Sequence, residues 1–298
     1  MHTPVLLHEV LEALDPRPGE FFIDGTIDGG GHAREILSRI GEKGKLLGVD
    51  WDEGMIRARR EEWKGKKNVA LTCGNYAEIP KIMKAAFAKR SGVPKADGLL
   101  LDLGFSSEQI ASSGRGFSFM RNEPLLMTYS DSRVPVRELI AGMRADELER
   151  VIREFGGERM AGRIARAVKE RGRKKRILTT GELAEAVRNA VPKGYERGRI
   201  DPATRTFQAL RIYANGELEN LETLLGAIPE IMNQGGRVAI ITFHSLEDRI
   251  VKTHFKKLAQ EGTVELITKK PIVPAREEIL QNPRSRTAKL RTARMTNF

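Results

Sequence analysis

One cysteine, Cys73, occurs in 298 residues, which excludes an internal disulfide framework and any cysteine-based zinc site. No apolar run approaches the ~18–20 residues that a membrane span needs. The opening stretch, MHTPVLLHEVLEALD, carries acids where a secretory signal would have a basic flank and a small-residue cleavage site. Internal repeats and low-complexity tracts are absent as well. With 40% hydrophobic and 31% charged residues, the balance is that of an ordinary globular protein large enough to bury a core. The expectation is a soluble, cytoplasmic protein with no membrane partner.

Charge is what the chain has in excess. The formal net charge is +11 and the isoelectric point about 9.8, a balance that suits a polyanionic partner, nucleic acid first among them. The excess is concentrated. Residues 133–211 hold 20 Lys or Arg against 11 Asp or Glu, so this stretch carries +9 of the total. Its densest part is RGRKKR at 171–176, where Arg173, Lys174, Lys175 and Arg176 are candidate RNA-binding residues.

The first hundred residues alternate short apolar runs with helical periodicity. FFIDGT (21–26), KLLGVD (45–50), NVALTCGN (68–75) and ADGLLLDLG (96–104) read as strands, and the helices between them imply βαβ units and a parallel sheet. From 107 to about 200 no strand pattern is convincing; the segment reads as a helical, basic insertion, with Thr179 or Thr180 capping a helix over TTGELAEAVRNAV. The α/β pattern then resumes. ATRTFQALRIYANGELENLETLLGAIPEIM is a long helical region, QGG is expected to turn the chain, and RVAIITFHS (237–245) is a fifth strand. TVELIT (263–268) and KLRTARMT (289–296) can supply two more, with QNPRSRTAK expected as a loop. The division is therefore 1–106 and 204–298 as two parts of one domain, with 107–203 inserted between them.

DGTIDGGGHA (24–33) joins the first strand to the first helix of that alternation, and an acid, Asp50, ends the next strand. Glycines let a backbone approach a ligand closely, and an acid at the end of the second strand can accept from both ribose hydroxyls. NAD, FAD and S-adenosylmethionine all suit such a device. The acids Asp24 and Asp28 would repel a pyrophosphate, whereas the ammonium and sulfonium of S-adenosylmethionine tolerate them.

Several longer blocks occur in a fixed order: HTPVLLHEVLEAL (2–14), GGH (30–32), LLLDLGFSS (99–107), RGFSFM (115–120), PATRTFQALRI (202–212), TFHSLEDRIVK (242–252) and NPRSRTAKLR (282–291). Together, essentially end to end, they closely resemble the bacterial small-subunit ribosomal RNA methyltransferase H family. The resemblance implies a Rossmann-like class I S-adenosylmethionine-dependent methyltransferase with an inserted helical domain. It implies methyl transfer to N4 of a cytidine in the decoding centre of 16S rRNA, with 16S rRNA or the small ribosomal subunit as partner. By matching positions, Gly30, Gly31, His32, Asp50, Tyr76, Asp102 and Gln109 are expected to contact S-adenosylmethionine. No metal site is assigned.

Two departures from the family stand out. Asp28 occupies a position that usually holds Gly, and PLLMTYSD (124–131) replaces the commoner PLDMRMD, with loss of an acid and an arginine. The exocyclic amine of cytosine is a weak nucleophile, so the reaction needs in-line placement and a proton acceptor. No Asn/Asp-Pro-Pro-aromatic motif follows the fourth strand; Asp102 in DLGFSS is the nearest analogue of the acceptor. His244, at the end of the fifth strand, is a second catalytic candidate, or else a structural histidine bonded to backbone. Phe105, Phe117 and Phe119 can stack on an extruded base or serve as packing. A dinucleotide-dependent oxidoreductase, and a catalytically impaired rRNA-binding assembly factor of the same fold, are the competing readings.

Overall fold

The computed structural model of the chain describes residues 4–87, 92–103, 114–195 and 200–296. Two compact units emerge, one formed by residues 1–106 and 218–298, the other by residues 107–217.

The first unit is built on a seven-stranded sheet: β1 (Phe21–Asp24), β2 (Lys45–Asp50), β3 (Val69–Cys73), β4 (Ala96–Asp102), β5 (Met232–Thr242), β6 (Val264–Leu266) and β7 (Lys289–Met295). Their order across the sheet is β3-β2-β1-β4-β5-β7-β6. Neighbours from β3 to β5 run parallel, because each pair is joined through chain that crosses a face of the sheet. The parallel rule stops at β7, which lies antiparallel to both β5 and β6. Between β6 and β7 the described chain has only the six-residue helix Arg276–Gln281 and a short 3-10 turn, Pro283–Thr287, too little to cross the sheet. These elements also occupy much of the stretch expected as a loop.

Both faces of the sheet are covered, which is why β1, β2 and β4 read as unbroken apolar runs. Ile23, Leu47, Val49, Leu99, Leu101 and Ile240 face one layer, with Leu221, Leu224, Val251 and Phe255 from the helices Glu217–Ile231 and Ser245–Gln260. Phe22, Leu46, Leu100, Ala239 and Ile241 face the other, with Leu11, Ile36 and Ile56 from the helices Leu7–Leu14, Gly31–Ile40 and Glu53–Glu62. The alternation is the period of two that a strand imposes. QGG does not turn the chain. It lies inside β5, where the register against β4 shifts between Ala96↔Met232 and Gly98↔Arg237 and the excess residues are taken up by a bulge at Gly235, φ 71°.

The second unit is helical: Val136–Gly142, Ala145–Gly156, Ala161–Lys174, Thr180–Ala190 and Ala203–Asn215. Leu148, Ile152, Ile164, Val168, Leu183, Val187, Phe207 and Leu210 form its core. Thr179 caps Thr180–Ala190 through a reciprocal box with Glu182. The unit runs on to Glu217 rather than ending at 203, since Phe207 and Leu210 bury their side chains in this core. The long helical region is two helices, parted at Gly216 in the left-handed conformation. No helix among the described residues is long and apolar enough to cross a membrane.

Candidate active site

The C-terminal ends of β1, β2 and β4 lie side by side, and each ends in an aspartate: Asp24, Asp50 and Asp102. In an open parallel sheet this edge is where ligands bind. The glycine loop is stitched across it. Gly25 N donates to Leu100 O on β4 at 2.9 Å, and Ile27 N to Val49 O on β2 at 3.0 Å. Thr26 turns the corner, its N–H donating to Asp24 Oδ1 at 3.1 Å while its hydroxyl accepts from Asp102 N at 2.6 Å. Two arginines from the flanking helices hold the loop from outside. Arg34 Nη2 donates to Gly29 O at 2.9 Å, and Arg59 donates to the same carbonyl.

Gly30 is left-handed, φ 72°, and caps the helix Gly31–Ile40. Gly31 is required by close approach, since a Cβ there would meet Pro4 Cγ at 2.3 Å. The N-terminal segment thus closes over the start of this helix. His32 is buried beneath it, with Nε2 3.0 Å from Val5 O. A carbonyl only accepts, so Nε2 carries the hydrogen. His32 Nδ1 then faces Asp102 Oδ2 at 3.8 Å.

Asp50 accepts from Asp28 N through Oδ2 and from Asp52 N through Oδ1, both at 2.8 Å, which fixes its carboxylate plane. Capping of the following helix falls to Asp52, whose Oδ1 accepts from Gly54 N and Met55 N. Asp28 takes a left-handed conformation, φ 42°, which Asp adopts more readily than most residues. Tyr76 opens a 3-10 turn after β3 and makes a tilted pair with Trp51, ring centres 6.3 Å apart.

Four carboxylates therefore share one edge. Burial pushes Asp24 up to about 7, against its bond from Thr26, with Asp102 and Asp50 adding repulsion. Burial also pushes Asp50 up to about 6, although the amides of Asp52 and Asp28 pull it down. Asp28 is raised well above the usual range by burial and then by the charges of Asp50, Asp102 and Asp24. Buried carboxylates crowded on one edge favour a cationic ligand, whose charge would offset theirs.

His244 caps the helix Ser245–Gln260. Its Nδ1 accepts from Glu247 N at 3.4 Å, and Glu247 Oε2 accepts in return from His244 N at 3.3 Å and Phe243 N at 2.9 Å. Its Nε2 lies 3.0 Å from Glu247 Oε1 but off the N–H direction, so the contact is an ion-pair distance without a hydrogen bond. Gln109 and Phe105 lie outside the described residues.

In the helical unit, the run 173–176 is only partly free. Arg176 pairs with Glu138, and Lys175 Nζ lies 3.2 Å from Glu182 Oε1, whereas Arg173 and Lys174 form no ion pair among the described residues. Phe119 packs edge-on against Phe207 at 5.0 Å, and Phe117 lies 5.2 Å from Tyr129. The PLLMTYSD segment buries Leu125 and Met127 in the helical core. Buried Asn215 anchors it, accepting from Tyr129 N at 3.0 Å and donating to Met127 O at 2.8 Å.

Thr26, Arg59, Trp51 and Asn215 escape sequence reading. Thr26 and Trp51 flank quoted acids and were within reach of it. Arg59 and Asn215 act on segments 30 and 88 residues away, and no local signal marks them.

The sheet and its acid-lined edge define a Rossmann-like α/β methyltransferase fold with a helical insertion. The family model of the MraW methylase family matches residues 1–296, and the chain belongs to that family. Among curated relatives, the Ribosomal RNA small subunit methyltransferase H of Syntrophotalea carbinolica is 41% identical over 98% of this chain and 97% of its own. That of Clostridioides difficile is 40% identical, with 98% of both chains covered. Among solved structures, fibrillarin from Aeropyrum pernix with S-adenosyl-L-methionine bound is 12% identical at a TM-score of 0.42, covering 96% of this chain and 73% of that one.

Proposed function

We propose that the chain transfers the methyl group of S-adenosylmethionine to N4 of a cytidine in the decoding centre of 16S rRNA, as free RNA or within the small ribosomal subunit. The observation that carries this is identity of 40–41%, over 98% of the chain, to relatives named for methylation of small-subunit rRNA. The residues at the strand ends fit the cofactor. Its ammonium and sulfonium suit an edge where burial, and then the charges of neighbouring carboxylates, raise Asp24, Asp28 and Asp50, since a cation there would offset the crowded negative charge.

S-adenosylmethionine bound there would supply an electrophilic methyl group. Gly30, Gly31 and His32 line its segment of the loop, Asp50 accepts from the ribose hydroxyls, and Tyr76 with Trp51 offers the adenine an aromatic ledge. Gln109 belongs to the same contact set. Asp102 orients the cytosine amine and takes its proton as the N–C bond forms, which relieves the positive charge that would otherwise build on N4. Thr26, whose hydroxyl accepts from Asp102 N, fixes the backbone of that residue at the end of β4. His244, with both ring nitrogens turned toward Glu247, keeps the end of β5 in shape. Arg173 and Lys174 contribute charge for rRNA phosphates.

Mass spectrometry of 16S rRNA from a deletion strain tests this. One N4-methylcytidine should be missing, restored by the wild-type chain and not by Asp102→Asn. An unchanged modification profile would sink the reading and favour a catalytically impaired assembly factor, for which the extra carboxylate of Asp28 is the motive.

A further inference from the structure

We propose that the exposed cationic face of the helix Ser245–Gln260 is a phosphodiester track, which holds the RNA strand that flanks the target base. The inference rests on the proposed rRNA substrate and adds to it a binding site on the sheet unit itself.

Arg249, Lys252 and Lys256 follow one another at spacings of three and four, so all lie on one side of the helix, and all are exposed. With Ser245, Asp248 and Thr253 they line an open groove of about 600 Å³. Among the described residues none of the three cations is in an ion pair, although Lys257 on the same helix pairs with Glu261 at 3.8 Å. The groove's single acid is already spent. Asp248 receives Lys289 Nζ at 3.0 Å and Arg291 Nε at 2.6 Å from β7, and these partners hold its carboxyl below the usual range despite burial. The groove therefore carries a net positive charge with no counter-charge of its own.

A solvated basic helix face is the ordinary explanation of such residues, and two observations weigh against it. Like charges at these spacings destabilise a helix, and an acid on the same face would have relieved that. The position is also specific. The helix starts directly after the C-terminal end of β5, and β7 brings Lys289 to the same edge by pairing it with Thr242. This is the edge that holds Asp24, Asp50 and Asp102. A nucleotide whose base reaches that edge must place its flanking phosphodiesters on the surface around it, and this helix begins there. The RGRKKR run offers less, since two of its four candidate cations are committed to Glu138 and Glu182.

The test uses the full chain and a fluorescein-labelled single-stranded RNA of the decoding-centre sequence, with anisotropy read across a salt series. The variant Arg249→Gln/Lys252→Gln/Lys256→Gln should weaken RNA binding by about tenfold or more near 0.1 M salt and flatten the log–log salt slope by about 2. Calorimetric affinity for S-adenosylmethionine should not change. A charge-retaining variant, Arg249→Lys/Lys252→Arg/Lys256→Arg, should bind RNA as the wild type does. Loss of RNA binding in that variant, or loss of cofactor affinity in the neutral one, would assign the effect to folding and overturn the track. Unaltered RNA affinity in the neutral variant overturns it while leaving the methyltransferase reading in place. A wild-type chain that neither binds nor methylates rRNA brings down both.

Discussion

The backbone N–H of Asp28 donates to Asp50 Oδ2 at 2.8 Å, so the one left-handed non-glycine residue of the glycine loop is tied to the acid that ends β2. The bond explains how the turn survives without glycine, because the Asp50 carboxylate holds the strained amide in place. It also brings the two side-chain charges together. Removing the charge while keeping a residue tolerant of φ 42° isolates that repulsion. Asp28→Asn should raise stability by about 1 kcal/mol at pH 8, where both acids are driven to ionise, and by much less at pH 5. Calorimetric melting at the two pH values checks this; a larger gain at pH 5 would refute it.

Asp24 and Asp50, at about 7 and about 6, bind protons more tightly in the folded chain than unfolded, where the reference value is 3.8. Stability from those protons is therefore complete below about pH 4 and is lost as pH rises through 6 and 7. Other groups being equal, the ligand-free protein should lose on the order of a few kcal/mol between pH 5 and 8. A cationic ligand at the edge favours the ionised acids, so S-adenosylmethionine should release protons as it binds near pH 6.5. Titration calorimetry in buffers of different ionisation enthalpy reads that release directly. A binding enthalpy independent of buffer would contradict it.

His244 and Glu247 cap the same helix reciprocally. His244→Ala should cost about 1 kcal/mol, the usual loss of a good cap, while His244→Asn, which supplies another capping acceptor, should recover most of it. Methyl transfer should follow stability in the two variants. Full stability with lost activity in His244→Asn would instead give the imidazole a chemical role.

Gly98 on β4 lies against Phe22, where a Cβ would meet the ring at 2.0 Å. Phe22 is fully buried and has nowhere to move. Gly98→Ala should destabilise by about 1–3 kcal/mol, as overpacking in a filled core does. Chemical denaturation measures it, and a neutral result would mean that the two faces of the sheet are looser than drawn.

In the helical unit, the free and the committed cations of the 173–176 run should separate experimentally. Arg173→Gln/Lys174→Gln should weaken RNA binding without loss of stability. Arg176→Gln removes the partner of Glu138, at a cost of under about 1 kcal/mol for so exposed a pair, and should affect RNA binding less. Equal losses in RNA affinity would remove the distinction.

Local pattern determined a great deal of this protein. The apolar runs of β1, β2 and β4 are legible because both faces of the sheet are covered, and Thr179 with Glu182 announces a helix start by itself. The glycine loop and Asp50 suggest a nucleotide-like ligand by spacing, and only the longer family blocks single out S-adenosylmethionine. Tertiary structure decided the rest, wherever the deciding partner is remote in sequence. The antiparallel entry of β7 depends on what can cross the sheet, and QGG became a bulge because β5 must follow the register of β4. Asp24 became a member of an acid cluster only when β1, β2 and β4 brought three strand ends together. The charges of 173–176 looked uniform until Glu138 and Glu182 claimed two of them. Sequence records which charges exist; burial and neighbours determine which remain free to act.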